Sequence, residues 1–374
     1  MSALTDRPVS QRPEVALGQP PTQYQSASGP RPPSSGIWQL AWQRLKRDRV
    51  AMVSLTVVAV FMFVILLSAL GLIAKNWDDQ VGVSFASPSF VGKVDNGEAL
   101  SAEAALPELA VPKDAAIVDL RDVDPLADVL PEIEAKAKLL QLTVSARAES
   151  LPFGGDKWGR DIIAKTIKGA QSSIFVGFAA AFIAVFLGTL LGALAGYFGS
   201  WVNDLLEWVY NVFTSIPNLL LILAFAAVFN TRGLFTVIMI LGITGWTGVY
   251  RLIRAEYLKH VNREYVKAAE AIGASHARRM FVHILPNVSH IVLVNLSLLV
   301  VGFIKAEVIL SYLGFGVPVE MTSWGTMLQE AQNELVNGHW WQFVAAAFLS
   351  MAVLITAFSL LTDALRDALD PKIK

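Results

Sequence analysis

Histidines are the residues whose spacing first suggests chemistry, because His276, His283 and His290 recur every seven positions. Imidazole nitrogens repeated along a helix are typical ligands of zinc. However, Pro286 lies between them and interrupts a continuous helix, and no carboxylate completes a ligand set. The chain has no cysteine, which excludes thiolate metal sites, disulfides and cysteine nucleophiles. We therefore expect no metal site.

Lys305 and Glu307 are ionisable residues at the end of a long apolar run. Ionisable groups at membrane depth are costly and often functional, so both could line a substrate pathway and meet charged ends of a substrate. Alternatively, both lie at the membrane interface and bridge to the segment 323–325. The run 287–304 already nearly spans a bilayer, which favours the interfacial interpretation.

Catalytic groups are scarce in the apolar runs. An intramembrane enzyme would need clustered carboxylates, histidines or a Ser–Lys pair there, and the runs are nearly free of them. The phosphate-binding loop of ATPases, Gly-x-x-x-x-Gly-Lys-Ser/Thr, is also absent. We expect a protein that catalyses no reaction itself and binds no cofactor.

The composition indicates a membrane protein. Of the 374 residues, 54% are hydrophobic and 16% are charged, and the mean hydropathy is +0.50. Soluble domains carry roughly a quarter charged residues. The net charge of −1 gives no sign of nucleic-acid binding.

Six apolar runs are long enough to cross about 30 Å of hydrocarbon as helices. They cover residues 50–74, 169–203, 208–231, 233–250, 287–304 and 335–362. The predicted fold is therefore an all-α integral membrane protein with six transmembrane helices. Within the second run, Gly188, Gly192 and Gly196 form a close-packing stripe. Within the third, Pro217 predicts a kink.

Charges around these runs predict the orientation. Basic residues precede the first run and Asp78 and Asp79 follow it, which places the N-terminus in the cytoplasm. An even number of spans returns the C-terminus there. Arg160, Lys165 and Lys168 fall on the opposite side, and we interpret them as an amphipathic approach helix on the outer surface.

The chain divides into four parts. Residues 1–36 are rich in proline and serine and predict a disordered cytoplasmic tail. Residues 37–74 form an interfacial segment and the first transmembrane helix, and 75–151 a polar extracytoplasmic insert between helices 1 and 2. Residues 152–374 form a five-helix core with a basic loop, 256–286, between helices 4 and 5.

That basic loop predicts a compact helical elbow. Alanines at 268, 269 and 271 keep one face small for the approach of another surface. Gly273 permits a sharp turn, and Pro286 ends a second helix before the next span. Such an elbow can transmit rigid-body motion from a soluble partner into the membrane.

The loop resembles the EAA motif of bacterial binding-protein-dependent ABC importer permeases. The residues in register are Ala268, Ala269, Gly273, Leu285 and Pro286. Lys267 and His283 depart from the motif, replacing its glutamate and isoleucine. The wider pattern, with Tyr265 before the alanines and Ala274 after the glycine, looks like the dipeptide, oligopeptide and nickel branch.

Further stretches resemble C-type subunits of that branch. They are Phe-Gly-Gly-Asp-Lys-Trp-Gly-Arg-Asp at 153–161, Tyr-Leu-Gly-Phe-Gly at 312–316, Ser-Trp-Gly at 323–325 and the ending at 363–371. The resemblance extends from about residue 38 to the end, except for the insert 75–151.

The resemblance implies one permease of an ATP-driven di- or oligopeptide importer in the bacterial inner membrane. Its partners would be a second, B-type permease, two cytoplasmic P-loop ATPases that bind ATP and Mg²⁺, an external solute-binding protein, the peptide and membrane lipid. The implied contacts with an ATPase are Glu264, Tyr265, Ala268, Ala269, Gly273, Ala274, His283, Leu285 and Pro286. The alternatives are a nickel importer permease and a membrane-anchored assembly protein acting through the insert.

Overall fold

The computed structural model describes residues 37–92, 147–229, 233–318 and 321–369. The predicted tail 1–36, most of the predicted insert 75–151 and the last residues of the C-terminal motif lie outside these ranges.

Two helices begin the described chain: α1, Ile37–Arg47, and α2, Arg49–Ala69. Asp48 separates them because its Oδ1 caps α2, accepting hydrogen bonds from the amides of Val50 (2.8 Å) and Ala51 (3.3 Å). With 21 residues, α2 is long and apolar enough to cross a membrane.

A two-stranded parallel sheet joins the described ends of the insert. Strand β1, Gly82–Pro88, pairs with β2, Ala148–Leu151. The all-α prediction missed this sheet because β2 has four residues and no alternating apolar pattern. The two ends of the insert therefore lie side by side, next to the start of the helical core.

Helix α3, Ile162–Phe198, runs through the middle of the fold. Asp161 caps it, accepting hydrogen bonds from the amides of Ile163 (3.2 Å) and Ala164 (3.3 Å). At about 1.5 Å per residue its 37 residues extend about 55 Å. Because this exceeds the hydrocarbon thickness, α3 connects structures at opposite ends of the molecule.

The predicted kink at Pro217 is a full break. Helices α4, Ser200–Thr214, and α5, Asn218–Phe229, meet at 89°. Proline lacks the amide hydrogen that would continue the helix, and its ring clashes with the preceding turn.

Helices α6, Leu234–Thr244, and α7, Thr247–His260, form one apolar stretch, and α7 packs along α3. The glycine stripe faces this contact: a Cβ at Gly192 would lie 2.7 Å from the Tyr250 carbonyl oxygen. Gly188 and Gly196 meet the backbone of α7 in the same way. The predicted close packing is confirmed, and it joins two helices of the same chain.

Helix α8, Glu264–Ala271, precedes α9, His276–Tyr312, which is continuous. The prediction that Pro286 ends a helix is wrong. Residues Arg279–Ile284 form a π-helical segment in which the Leu285 amide donates to the Met280 carbonyl, five residues earlier. This wider turn accommodates the proline ring within the helix.

Helix α10, Trp324–Val336, begins with a capping box at Ser323 and packs on the start of α3. The last helix, α11, Trp341–Leu369, contains a π-helical segment at Val344–Ala352 and contacts α1 and α2. In the described part of the chain, five helical stretches are long and apolar enough to span a membrane, or six if the bent pair α4–α5 counts as one.

Candidate functional site

Two groups of functional interest lie at opposite ends of α3. We call residues 261–286 the elbow, as they comprise α8, a turn and the start of α9. We call the side chains of Asp156, Lys165, Glu330, Glu334 and Gln342 the Lys165 network.

The elbow turns at Gly273. Its φ of 82° is a left-handed conformation that favours glycine. The Gly273 amide donates to the Glu270 carbonyl, and the Ala274 amide donates to the Ala269 carbonyl, each at 2.9 Å. This is the Schellman pattern of helix ends, and it fixes the direction in which the chain leaves α8.

Arg279 joins the two arms of the elbow. Its Nη1 lies 2.8 Å from Glu270 Oε1 in α8, and its side chain is only 9% exposed. Its Nη2 contacts His276 Nδ1 at 3.0 Å, and the Tyr197 hydroxyl contacts the same nitrogen at 3.0 Å. The elbow is therefore attached to the end of α3.

A second attachment runs through α7. The buried Tyr257 hydroxyl donates to the Met280 carbonyl in the π-helical segment at 3.0 Å. One turn earlier, Arg254 Nε pairs with Glu207 at 3.0 Å and donates to Asn203 at 2.7 Å. Since α7 also packs along the glycine stripe, elbow, α3 and α7 form one connected body.

Predicted contact residues of the elbow occupy different environments. Glu264 and Ala268 are exposed, Tyr265 is 38% exposed, and the Tyr265 hydroxyl contacts His260 Nδ1 at 2.8 Å. Ala269, however, is buried against the chain itself, so its small size serves the packing of α8 on the π-helical segment.

The remaining predicted contact residues follow the turn. Ala274 is half-buried, as are His283 and Leu285. Pro286 is exposed on α9. The elbow turn thus separates these residues from those of α8.

Sequence reasoning missed Ile272 and the Glu270–Arg279 pair. Ile272 is 85% exposed at the tip of the elbow. An isoleucine directly before the turn glycine in a polar loop was the available signal. The ion pair left no spacing signal, since the turn at Gly273 brings the two residues together.

The Lys165 network corrects the prediction of a surface approach helix. Lys165 is 2% exposed and its Nζ lies 2.7 Å from Asp156 Oδ2. The other oxygen of Asp156 accepts hydrogen bonds from the amides of Trp158 and Arg160, both at 2.9 Å. Lys165 is therefore an internal cation, and its counter-ion Glu330 lies 165 positions away along the chain.

Residues of α10 and α11 complete the network. Lys165 Nζ contacts Glu330 Oε2 at 2.6 Å and Gln342 Oε1 at 3.4 Å. Glu334, 3% exposed, lies near the same lysine. Burial raises the pKa of the Glu334 carboxyl to about 7, with Lys165 lowering it and Glu330 and Asp156 raising it further. The network joins the loop 153–161 to three helices.

Lys305 and Glu307 lie in the same helix, α9, but Lys305 is exposed and Glu307 is buried. Glu307 is fully buried in α9 and accepts a hydrogen bond from Ser311 Oγ at 2.6 Å. The Ser323 hydroxyl lies beside the same carboxylate. Lys305 is exposed, and the space next to Gly302 on the preceding turn is open.

The three histidines of the seven-residue repeat do not assemble. His276 contacts Tyr197 and Arg279. Within the described ranges, no group of three or more His, Cys, Asp or Glu side chains is placed to hold a metal ion.

Comparison with known proteins identifies the family. Residues 188–374 match the family "Binding-protein-dependent transport system inner membrane component". Residues 36–82 match the "N-terminal TM domain of oligopeptide transport permease C". The glycine stripe, the elbow and the Lys305 region all fall within the first match.

Individual permease proteins are also similar to this chain. The chain is 38% identical to the oligopeptide transport system permease protein OppC of Bacillus subtilis (strain 168) over 222 residues, 59% of this chain and 72% of that protein. It is 35% identical to the dipeptide transport system permease protein DppC of the same organism over 223 residues, 59% and 69% of the two chains. OppC of Escherichia coli (strain K12) is 36% identical over 220 residues, 59% and 72%. The chain therefore belongs to the family of binding-protein-dependent transport system inner membrane components, the permease subunits of ABC transporters.

Proposed function

We propose that the chain is the C-type permease of an ATP-driven importer of di- and oligopeptides in the bacterial inner membrane. The observation that carries this proposal is the elbow, whose exposed tip is attached to α3 and α7, and these helices belong to two of the candidate membrane-spanning stretches. The names of the similar permeases from Bacillus subtilis and Escherichia coli support peptide as the substrate class.

The energy for transport comes from other subunits in this proposal. The sequence contains no Gly-x-x-x-x-Gly-Lys-Ser/Thr loop, so ATP and Mg²⁺ are bound by two P-loop ATPases in the cytoplasm. A B-type permease supplies the other half of the pathway, and an external solute-binding protein delivers the peptide. Both termini of this chain are cytoplasmic.

Coupling works through the connected body described above. Ile272 and Tyr265 are exposed apolar side chains on a polar elbow, and we assign them to a groove of the ATPase. Closure of the ATPase pair displaces the elbow. The Arg279–Glu270 pair and the Tyr257–Met280 hydrogen bond pass that displacement to α3 and α7.

The substrate pathway includes Lys305 in this proposal. It is an exposed cation within a membrane-spanning helix, and such a group requires water or an anion beside it. Gly302, one turn earlier on the same face of α9, is also exposed. Glu307 is buried among serines and has a structural role, holding α9 to the segment that begins α10.

The test is purification of the chain from its native membrane in mild detergent, followed by identification of the proteins that accompany it. The proposal expects a second permease and one or two P-loop ATPases, and uptake of labelled peptides that is lost when the chain is deleted. Isolation of the chain alone, or nickel uptake in place of peptide uptake, would overturn it.

A further inference from the structure

A groove of about 300 Å³ lies between α2, α3 and the start of α6. Its wall is mostly apolar and includes Met62, Ile65, Phe175, Phe178 and Leu234. Met62 is 39% exposed and Phe175 is 58% exposed, so the groove opens to the surroundings of the helices. Because α2 and α3 are long and apolar enough to span a membrane, the groove lies at the depth of the bilayer.

The groove has one polar end. Lys168 and Gln171 belong to its wall, and Lys168 Nζ donates to Gln171 Oε1 at 3.0 Å. The same oxygen accepts a hydrogen bond from Ser68 Oγ in α2 at 3.1 Å. These bonds hold the ammonium group at the mouth and leave the Gln171 amide group as a second donor.

Lys168 differs from Lys165 in its counter-ions. Lys165 has carboxylate oxygens at 2.7 and 2.6 Å, whereas no carboxylate in the described ranges lies within 4.0 Å of Lys168 Nζ. A lysine at the membrane boundary without a protein counter-ion attracts negatively charged lipid headgroups. Its alkyl stem can remain along the apolar wall while the charge stays at the surface.

We propose that this groove binds an anionic phospholipid. One acyl chain lies along Phe175 and Phe178, and the headgroup phosphate accepts hydrogen bonds from Lys168 and Gln171. Few side chains of α2 are buried in the protein: Ala51, Ser54, Val58 and Ser68. The lipid thus fills the space between α2 and α3. It thereby stabilises the position of α2, the first membrane-spanning helix.

The test measures lipid binding to the chain within its purified transporter complex by native mass spectrometry. The probes are phosphatidylglycerol and phosphatidylcholine with the same acyl chains. The unmodified complex is expected to prefer phosphatidylglycerol by about fivefold, the contribution of one lysine near a charged membrane surface. Lys168→Gln abolishes this preference, whereas Lys157→Gln, an exposed lysine outside the groove, retains it.

Two further measurements separate the alternatives. Ile65→Trp fills the groove without changing charge, so it lowers the binding of both lipids. An undiminished preference in Lys168→Gln would overturn the site. A cysteine at Met62, in a chain with no native cysteine, tests for a protein occupant. Its efficient cross-linking to the second permease would also overturn the proposal, because a protein helix would then cover the groove.

Discussion

Lys165 and Asp156 form an ion pair 2.7 Å long in which the two side chains are 2% and 0% exposed. The aspartate belongs to the loop before α3 and the lysine to the first turn of α3. Glu330 approaches the same lysine from α10. A single cation therefore holds together segments that are far apart in sequence.

Lys165→Met is expected to destabilise the protein strongly. It leaves two carboxylates near one another without their cation, and breaking a buried pair costs about 3–5 kcal/mol. The measurement is the thermal midpoint of the purified protein in detergent. Lys157→Met is the matched control, since Lys157 is exposed on the same loop. Equal midpoints for the two variants would show that the buried pair contributes no stability.

Glu334 predicts a pH dependence of stability. Its pKa is raised from 4.5 to about 7, so between these values the folded protein binds more protons than the unfolded chain. The contribution of Glu334 to the free energy of unfolding therefore falls as pH rises through this window, and it is constant above the window. Each pKa unit corresponds to about 1.4 kcal/mol.

Glu334→Gln removes this titration. The variant should be more stable than the unmodified protein at pH 8, by about 3 kcal/mol, and similar to it near pH 4. Unfolding midpoints across this range provide the measurement. A constant difference between the two proteins at all pH values would exclude Glu334 as the titrating group.

Gly192→Ala should separate α3 from α7. The added methyl group would lie 2.7 Å from the Tyr250 carbonyl oxygen, and overpacking costs about 1–3 kcal/mol. Gly248→Ala is the control, because a Cβ there meets no atom within 4 Å and alanine favours a helix. Thermal midpoints should fall for the first variant and not for the second; the reverse order would contradict the packing.

Arg279→Gln should weaken coupling. It removes the attachment of α8 to α9, and changes of this kind alter coupling by about 0.5–2 kcal/mol, or roughly two- to thirtyfold. The readout is peptide-stimulated ATP hydrolysis by the purified complex. Arg278→Gln is the matched control, since the adjacent Arg278 is exposed. The same loss in both variants, or in neither, would refute a specific role for Arg279.

Sequence patterns predicted the elements that depend on local information. Apolar runs predicted the membrane-spanning helices. The glycine stripe at Gly188, Gly192 and Gly196 predicted a helix contact, and Gly273 predicted the elbow turn. In each case the residue type itself imposes the geometry, through hydrophobicity, small size or backbone freedom.

Features that depend on distant partners were missed. Lys165 looked like a surface residue because Glu330 lies 165 positions away along the chain. Pro286 looked like a helix stop because a π-helical segment leaves no pattern in the sequence. The β1–β2 sheet was missed because its strands are short and because they pair with each other across the whole insert, far apart in sequence.

Site-specific cross-linking from the elbow tests the central claim most directly. The chain has no cysteine, so Ile272→Cys places one thiol at the exposed tip of the elbow. A photoactivatable reagent on this thiol should join the chain to a P-loop ATPase, and the cross-link should change in yield when ATP is added. A cysteine at Ser84, in β1, is the control and should give no such product. Absence of the ATPase from the Ile272→Cys product, in a complex that contains it, would contradict coupling through the elbow.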